Sequence, residues 1–355
     1  MERQAEGLAA RGCRVEVLVQ RASGDRELPA VERRPSGVVV RRFASIVPSR
    51  RFPVAPLLAR YLRAHGDHFD VVHGHSFHSA PAVLAALVAD RPFVCTPHFH
   101  GTGHTPLARL VHVGFRPLAQ RALDRCHAVL CVSEVERSVL GSVFRSIEDK
   151  AVVLPNGVDD ADFGSAVALP VAEPVVLVAG RLEAYKGVDV VLAAFGSLAG
   201  PARLVVVGDG PERSRLERQA VAAGLHGRVT FAGRVERSEL CRWHRTAHVL
   251  VTLSSRESFG LVALEGLAAG ARVVASDIPA HREVTRRWGA DVRLVAPDIT
   301  PAALAGVLAD ELSRPRPDRP CGGLPTWDQQ VEGCLAIYRQ AAAAGSGARR
   351  GVRPR

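Results

Sequence analysis

Two cations and two carboxylates in the second half of the chain carry the residue types that hold a charged ligand. Arg181 and Lys186 lie five residues apart in VAGRLEAYKG (178–187), in a loop that follows an apolar strand pattern and precedes a helix starting near Gly187. The carboxyl end of a parallel strand is where ligands sit in α/β sheets, and a helix N-terminus adds N–H donors for an anion. Two cations there suit a diphosphate; the plain alternative is a solvated basic loop. Glu257 and Glu265 stand in an E-x7-E spacing within SSRESFGLVALEGLAAGARVV (254–274). Gly260 permits close approach to the backbone near the start of the next helix. Glu265, flanked by Ala and Leu, needs a partner if buried. Ribose hydroxyls would serve, and so would one of the chain's many arginines.

The first half offers histidines instead. Six of 14 lie between 73 and 104, in HGHSFH and TPHFHGTGH. The two HxH pairs invite a metal, but no carboxylate or cysteine completes an HxHxDH or HExxH pattern. The other reading is a polar site in which His98 hydrogen-bonds a sugar or phosphate, with His73 and His127 as satisfied core histidines. Other signatures are missing. LVVVGDGPERSRL (204–216) has a Gly-Asp-Gly turn without GxGxxG, and no GxxxxGK[ST] occurs, which weakens the dinucleotide and NTPase readings. The seven cysteines (13, 95, 126, 131, 241, 321 and 334) show no CxxC pairing, and most lie in apolar runs suited to reduced, buried thiols.

These residues must be positioned by alternating strands and helices. Strand patterns fall at 14–19, 37–43, 69–74, 92–96, 127–133 and 151–156, then at 174–180, 203–208, 228–233, 247–253, 272–276 and 291–296. They are continuously apolar, as parallel strands covered on both faces are. The expectation is α/β: two doubly wound, Rossmann-like domains, 1–163 and 164–325. A last helix over 326–342 follows, then a basic tail at 343–355. At the start, residues 2–11 form a helical pattern with Met1, Ala5, Leu8 and Ala9 on one face and Gly12 as its stop.

Composition bounds the partners. The net charge is +10, but 44 of 46 basic residues are arginine and they are dispersed, so nucleic acid is not indicated. Only Lys150 and Lys186 are lysines, which singles out Lys186 as a place for a compact ammonium. The N-terminus lacks an apolar signal region and no apolar run approaches the length of a membrane span, so a cytoplasmic protein is expected.

Taken in order, VLPNGVD, GRLEAYKGVDVVLAAF, LVVVGDGPERSRLE, VTFAGRV and SSRESFGLVALEGLAAGARVVASD, with VCTPHFHGTGHTP in the first half, resemble glycosyltransferase family 4. The resemblance implies a GT-B fold, with two Rossmann-like domains facing a central cleft and a C-terminal helix returning to the first. It implies a retaining, metal-independent transferase without cofactor, moving a sugar from a UDP-, GDP- or ADP-sugar to an acceptor hydroxyl. That acceptor could be lipid-linked, with peripheral membrane contact. By resemblance Arg181 and Lys186 clamp the diphosphate and Glu265 takes the ribose. Glu257, Phe259, Gly260 and Leu261 lie by the donor sugar and phosphates, Gly180, Gly208 and Val235 complete the donor site, and His98 approaches the transferred sugar.

Family members usually open with a strand and a Gly-rich loop before the helix at 2–11, so a first strand is expected to be missing here. Two other readings stay open: a non-hydrolysing sugar-nucleotide epimerase, and an inactive donor-binding partner subunit.

Overall fold

The computed structural model describes residues 1–21, 28–45, 56–76, 80–99, 101, 106–145, 147–289, 292–317 and 321–350. His78, His100, His104 and the end of the tail at 351–355 lie outside them. The chain divides into two units, Met1–Asn156 with Trp327–Arg355, and Gly157–Thr326.

In the first unit the order is α1 (Glu2–Ala10), β1 (Glu16–Gln20), β2 (Val31–Arg33), β3 (Val39–Phe43), α2 (Pro56–His65), β4 (Val72–His75), α3 (Ala80–Val88), β5 (Phe93–Thr96), α4 (Pro106–Asp124), β6 (Cys126–Cys131), α5 (Glu134–Val143) and β7 (Ala151–Val153). The strands form two sheets, β1-β3-β2 and the all-parallel β4-β5-β6-β7. Strand β2 is the one that sequence patterning misses: three residues, mostly exposed, paired antiparallel at an edge, too short to show a period.

The second unit runs α6 (Asp160–Ser165), β8 (Val175–Ala179), α7 (Val188–Gly196), β9 (Arg203–Val207), α8 (Arg213–Ala222), β10 (Val229–Gly233), α9 (Arg237–Thr246), β11 (Val249–Thr252), α10 (Leu261–Ala268), β12 (Arg272–Ser276), α11 (Pro279–Trp288), β13 (Val292–Val295) and α12 (Pro301–Ser313). Its six strands are all parallel, in the order β10-β9-β8-β11-β12-β13. Counted within the unit this is 3-2-1-4-5-6, the doubly wound Rossmann order. Val175–Val178 and Val249–Thr252 are buried throughout, because helices cover both faces.

The boundary falls after Asn156, ahead of the expected 163, because α6 packs on α9 and α10 and buries Phe163 completely. The last helix, α13 (Trp327–Arg350), belongs to the first unit and continues past the expected end at 342. Val331 and Leu335 of α13 pack on Leu8 of α1, and Cys334 sits among Val94, Ala128 and Leu130. On α1 the buried set is Gln4, Ala5 and Leu8, while Met1 is exposed. Gln4 is tolerated inside because its amide donates to Cys334 Sγ at 3.1 Å. All seven cysteines are free thiols.

Candidate active site

Strand order decides where chemistry collects in the second unit. Between β8 and β11 the winding reverses, and the loops that leave their carboxyl ends flank that crevice. The β8 loop carries Gly180, Arg181 and Lys186; the β11 loop carries Glu257, Phe259 and Gly260. Two backbone contacts lock the loops together. The Ser255 N–H donates to the Tyr185 carbonyl at 2.8 Å. Gly187, with φ of 65°, lies so near Leu253 that a Cβ there would come within 3.0 Å of its carbonyl oxygen.

Lys186 and Glu257 meet across the crevice, Nζ to Oε1 at 2.5 Å, with side chains only 17% and 22% exposed. Residues 71 positions apart thus form a charge-assisted, partly shielded pair. Lys186 also lies 5.3 Å from the centre of the Tyr185 ring, and Arg256 is 5.4 Å from it. Arg181 stands apart: its side chain is 69% exposed and, among the described residues, its ion-pair contact is Glu183, at 3.9 Å. Its charge is free to meet an incoming anion.

Gly260 caps α10 in the left-handed conformation, φ 88°. The amides of the first turn of α10 form an anion-attracting end. Phe259 is buried, edge-on to Trp288 at 6.0 Å, and Leu261 is half-buried. Gly208 serves architecture: a Cβ on it would come 1.9 Å from the Gly180 carbonyl oxygen, so the Gly-Asp-Gly turn supports the β8 loop from beneath. Val235 is half-buried beyond the end of β10.

Glu265 faces α9. Its Oε1 lies 3.6 Å from Arg237 Nη1, and its Oε2 is 3.8 Å from His244 Nε2. Arg237 also donates to Asp159 at 2.6 Å and lies over the Phe163 ring at 4.8 Å. Burial raises the Glu265 carboxyl to about 7, with Arg237 pulling it down and Asp159 pushing it up. Burial lowers His244 to about 4.

Three residues of this site escape the sequence reading. His244 and Arg237 share a face of α9 with Cys241, at i, i+4 and i+7, a spacing that was visible but unremarkable in a helix. His281 of α11 is buried beside Gly260; its Nδ1 faces the Ser276 carbonyl oxygen at 2.8 Å. Burial lowers its pKa, while the charges of Glu257 and Lys186 act on it in opposite directions.

In the first unit His98 follows β5 with a positive φ of 52°. Its Nε2 lies 3.4 Å from His75 Nδ1, and the rings stack at 5.7 Å. His75 stacks on His73 at 4.3 Å, and His73 is held by Tyr338 at 2.5 Å and Thr96 at 2.8 Å. Burial keeps the cluster neutral, lowering His73 to about 3 and His98 to about 4. The neighbouring Phe99 N–H donates to Glu136, whose carboxyl burial raises to about 7. His73 is the satisfied histidine that the sequence suggests; His127 is exposed, because it is the extra residue where the β5–β6 register shifts between Cys126 and Ala128. No helix among the described residues is long and apolar enough to cross a membrane.

Residues 162–320 match the family model described as "Glycosyl transferases group 1", and residues 1–162 match "Glycosyltransferase Family 4". A D-inositol 3-phosphate glycosyltransferase from Xylanimonas cellulosilytica is 31% identical over 95% of this chain and 89% of its own. A phosphatidyl-myo-inositol mannosyltransferase from Mycobacterium tuberculosis is 35% identical over 71% of this chain and 68% of its own. Among solved structures, sucrose-phosphate synthase from Thermosynechococcus elongatus superposes with a TM-score of 0.77 at 21% identity, over 96% of this chain and 92% of that one.

Proposed function

The chain belongs to the group 1, family 4 glycosyltransferases, and from that premise we propose a retaining transfer from a nucleoside-diphosphate sugar without an obligatory metal. The observation that carries this reading is the Lys186–Glu257 pair at the switch point, beside the open Arg181 and the N-terminus of α10. Together they offer cationic and N–H stabilisation where a departing diphosphate gains charge.

The bond from the anomeric carbon to the phosphate oxygen breaks, and the acceptor oxygen bonds to that carbon on the same face. The acceptor's proton passes to the leaving phosphate oxygen. Glu257 is a poor covalent nucleophile here, because its carboxylate is engaged by the Lys186 ammonium. Its service is to orient Lys186 and accept from the donor sugar. The resemblance gives His98 a sugar contact, and its neutral ring supports hydrogen bonding over charge pairing.

For the acceptor we propose the hydroxyl of a polyol that bears a phosphate, lipid-linked or free. Two relatives whose names pair inositol with phosphate or a phosphatidyl group support this. The donor base stays among UDP, GDP and ADP. The test is thermal stabilisation by a panel of the three donor classes, then an NMR product assay with inositol phosphates and phosphatidylinositol, run with and without chelator. Stabilisation by one donor class and a product with the donor's anomeric configuration are expected. No stabilisation by any donor, an inverted product or loss of activity in chelator would overturn the reading.

A further inference from the structure

Glu265 and His244 present a problem of hydrogen bookkeeping. His244 is wholly buried, and its Nδ1 lies 3.0 Å from the Leu240 carbonyl oxygen. A carbonyl only accepts, so Nδ1 carries the ring hydrogen and Nε2 is left with a lone pair. That lone pair has no hydrogen-bond partner among the described residues. The atom it faces is Glu265 Oε2, at 3.8 Å, on a carboxyl only 11% exposed. Two acceptors confronting each other in a shielded site are unstable unless one of them carries a proton.

The groups around Glu265 do not remove the conflict. From α9 come Arg237, His244 and Cys241; Asp159 comes from the segment leading into α6 and Asp162 from α6 itself. Arg237 gives its closer contact to Asp159, 2.6 Å against 3.6 Å to Glu265. On α11, which also packs on α10, His281 turns to Ser276 and Glu283 pairs with Arg287.

We propose that His244 is a positioning residue for Glu265: in the empty site its Nε2 lone pair directs a protonated Glu265 carboxyl, and ribose hydroxyls displace that proton to solvent. The O–H bond of the carboxyl breaks, the proton goes to water, and the carboxylate then accepts from the ribose. The raised carboxyl and the neutral imidazole accord with this exchange. The inference rests on the proposed donor reading and deepens it by coupling donor capture to one proton.

The test is calorimetry at pH 7 in two buffers of different ionisation enthalpy, with UDP, GDP and ADP and the 2′,3′-dideoxy form of whichever binds. The wild type should release about half a proton with the ribose form, as a carboxyl that titrates near 7 allows at pH 7, and none with the dideoxy form, whose phosphates are the same. His244→Phe removes the lone pair that favours only the protonated, unbound carboxyl, so it should reduce that release and tighten the ribose form by up to about tenfold, the scale of one hydrogen bond. His244→Gln, which can present an oxygen at the same place, should restore both. Equal proton release from ribose and dideoxy forms, or wild-type release and affinity in a folded His244→Phe, would overturn this inference alone. If no nucleoside diphosphate binds the wild type, the donor reading falls and takes this inference with it.

Discussion

The histidine cluster of the first unit and the switch-point loops of the second solve opposite problems of burial. His73, His75 and His98 are pressed ring against ring and kept uncharged, with Tyr338 and Thr96 completing the bonds of His73. Lys186 and Glu257 are kept within contact of each other, and Arg181 stays in solvent. The first arrangement suits recognition of hydroxyls, where neutral donors and acceptors suffice. The second suits an ionic ligand, where a charge must be ready before binding. The other lysine sharpens the contrast: Lys150 donates to the backbone carbonyl of Asp124 and holds structure only.

The largest expected effect is on that contrast itself. Lys186→Ala should lower kcat by about 100–1,000-fold, the usual consequence of losing a group that stabilises transition-state charge, while His98→Gln should lose less. Steady-state kinetics with the identified donor would decide, and equal losses would erase the distinction. Gly208→Ala tests whether the β8 loop is held from beneath. A methyl overlapping the Gly180 carbonyl should cost about 3 kcal/mol of stability in urea unfolding, and an unaffected variant would contradict the packing.

One group from each region, His98 and Glu265, should respond to pH with opposite signs. Burial lowers His98 in the folded state, so its contribution is complete above about 6.5 and is lost as pH falls toward 4. Burial raises Glu265, so the folded protein loses stability through it as pH rises from about 4.5 to 7. Relative to wild type, Glu265→Gln should therefore gain up to about 3 kcal/mol across that rise, and His98→Gln should lose less than wild type on acidification. Melting temperatures of both variants between pH 4 and 8 would check the signs. The smallest effect is structural silence: Arg181→Ala, at an exposed position, should change stability by no more than about 0.5 kcal/mol while weakening donor binding.

Much of this was legible in order. Runs such as PVVLVAG and AHVLVTL announce buried strands because apolar coverage on both faces leaves a local, continuous mark. Val31–Arg33 leaves none, since an exposed edge strand of three residues has no hydrophobic signature. Lys186 stood out by rarity and Glu257 by its motif, yet nothing in either segment says that they touch. The partner of Glu265 was narrowed to a ribose or an arginine; the structure supplies Arg237, and adds a histidine that its helix disguises as an ordinary face residue.

The sequence by itself determined the α/β class, the strands that carry the loops and the candidate residues on them, because hydrophobic period and residue type are local properties. Only the tertiary structure decided who faces whom. The strand order β9-β8-β11-β12 brings together loops some 70 residues apart, and the fold of α9 onto α10 sets an imidazole lone pair against a carboxyl. Those outcomes depend on how distant segments share one sheet, which no window of sequence contains.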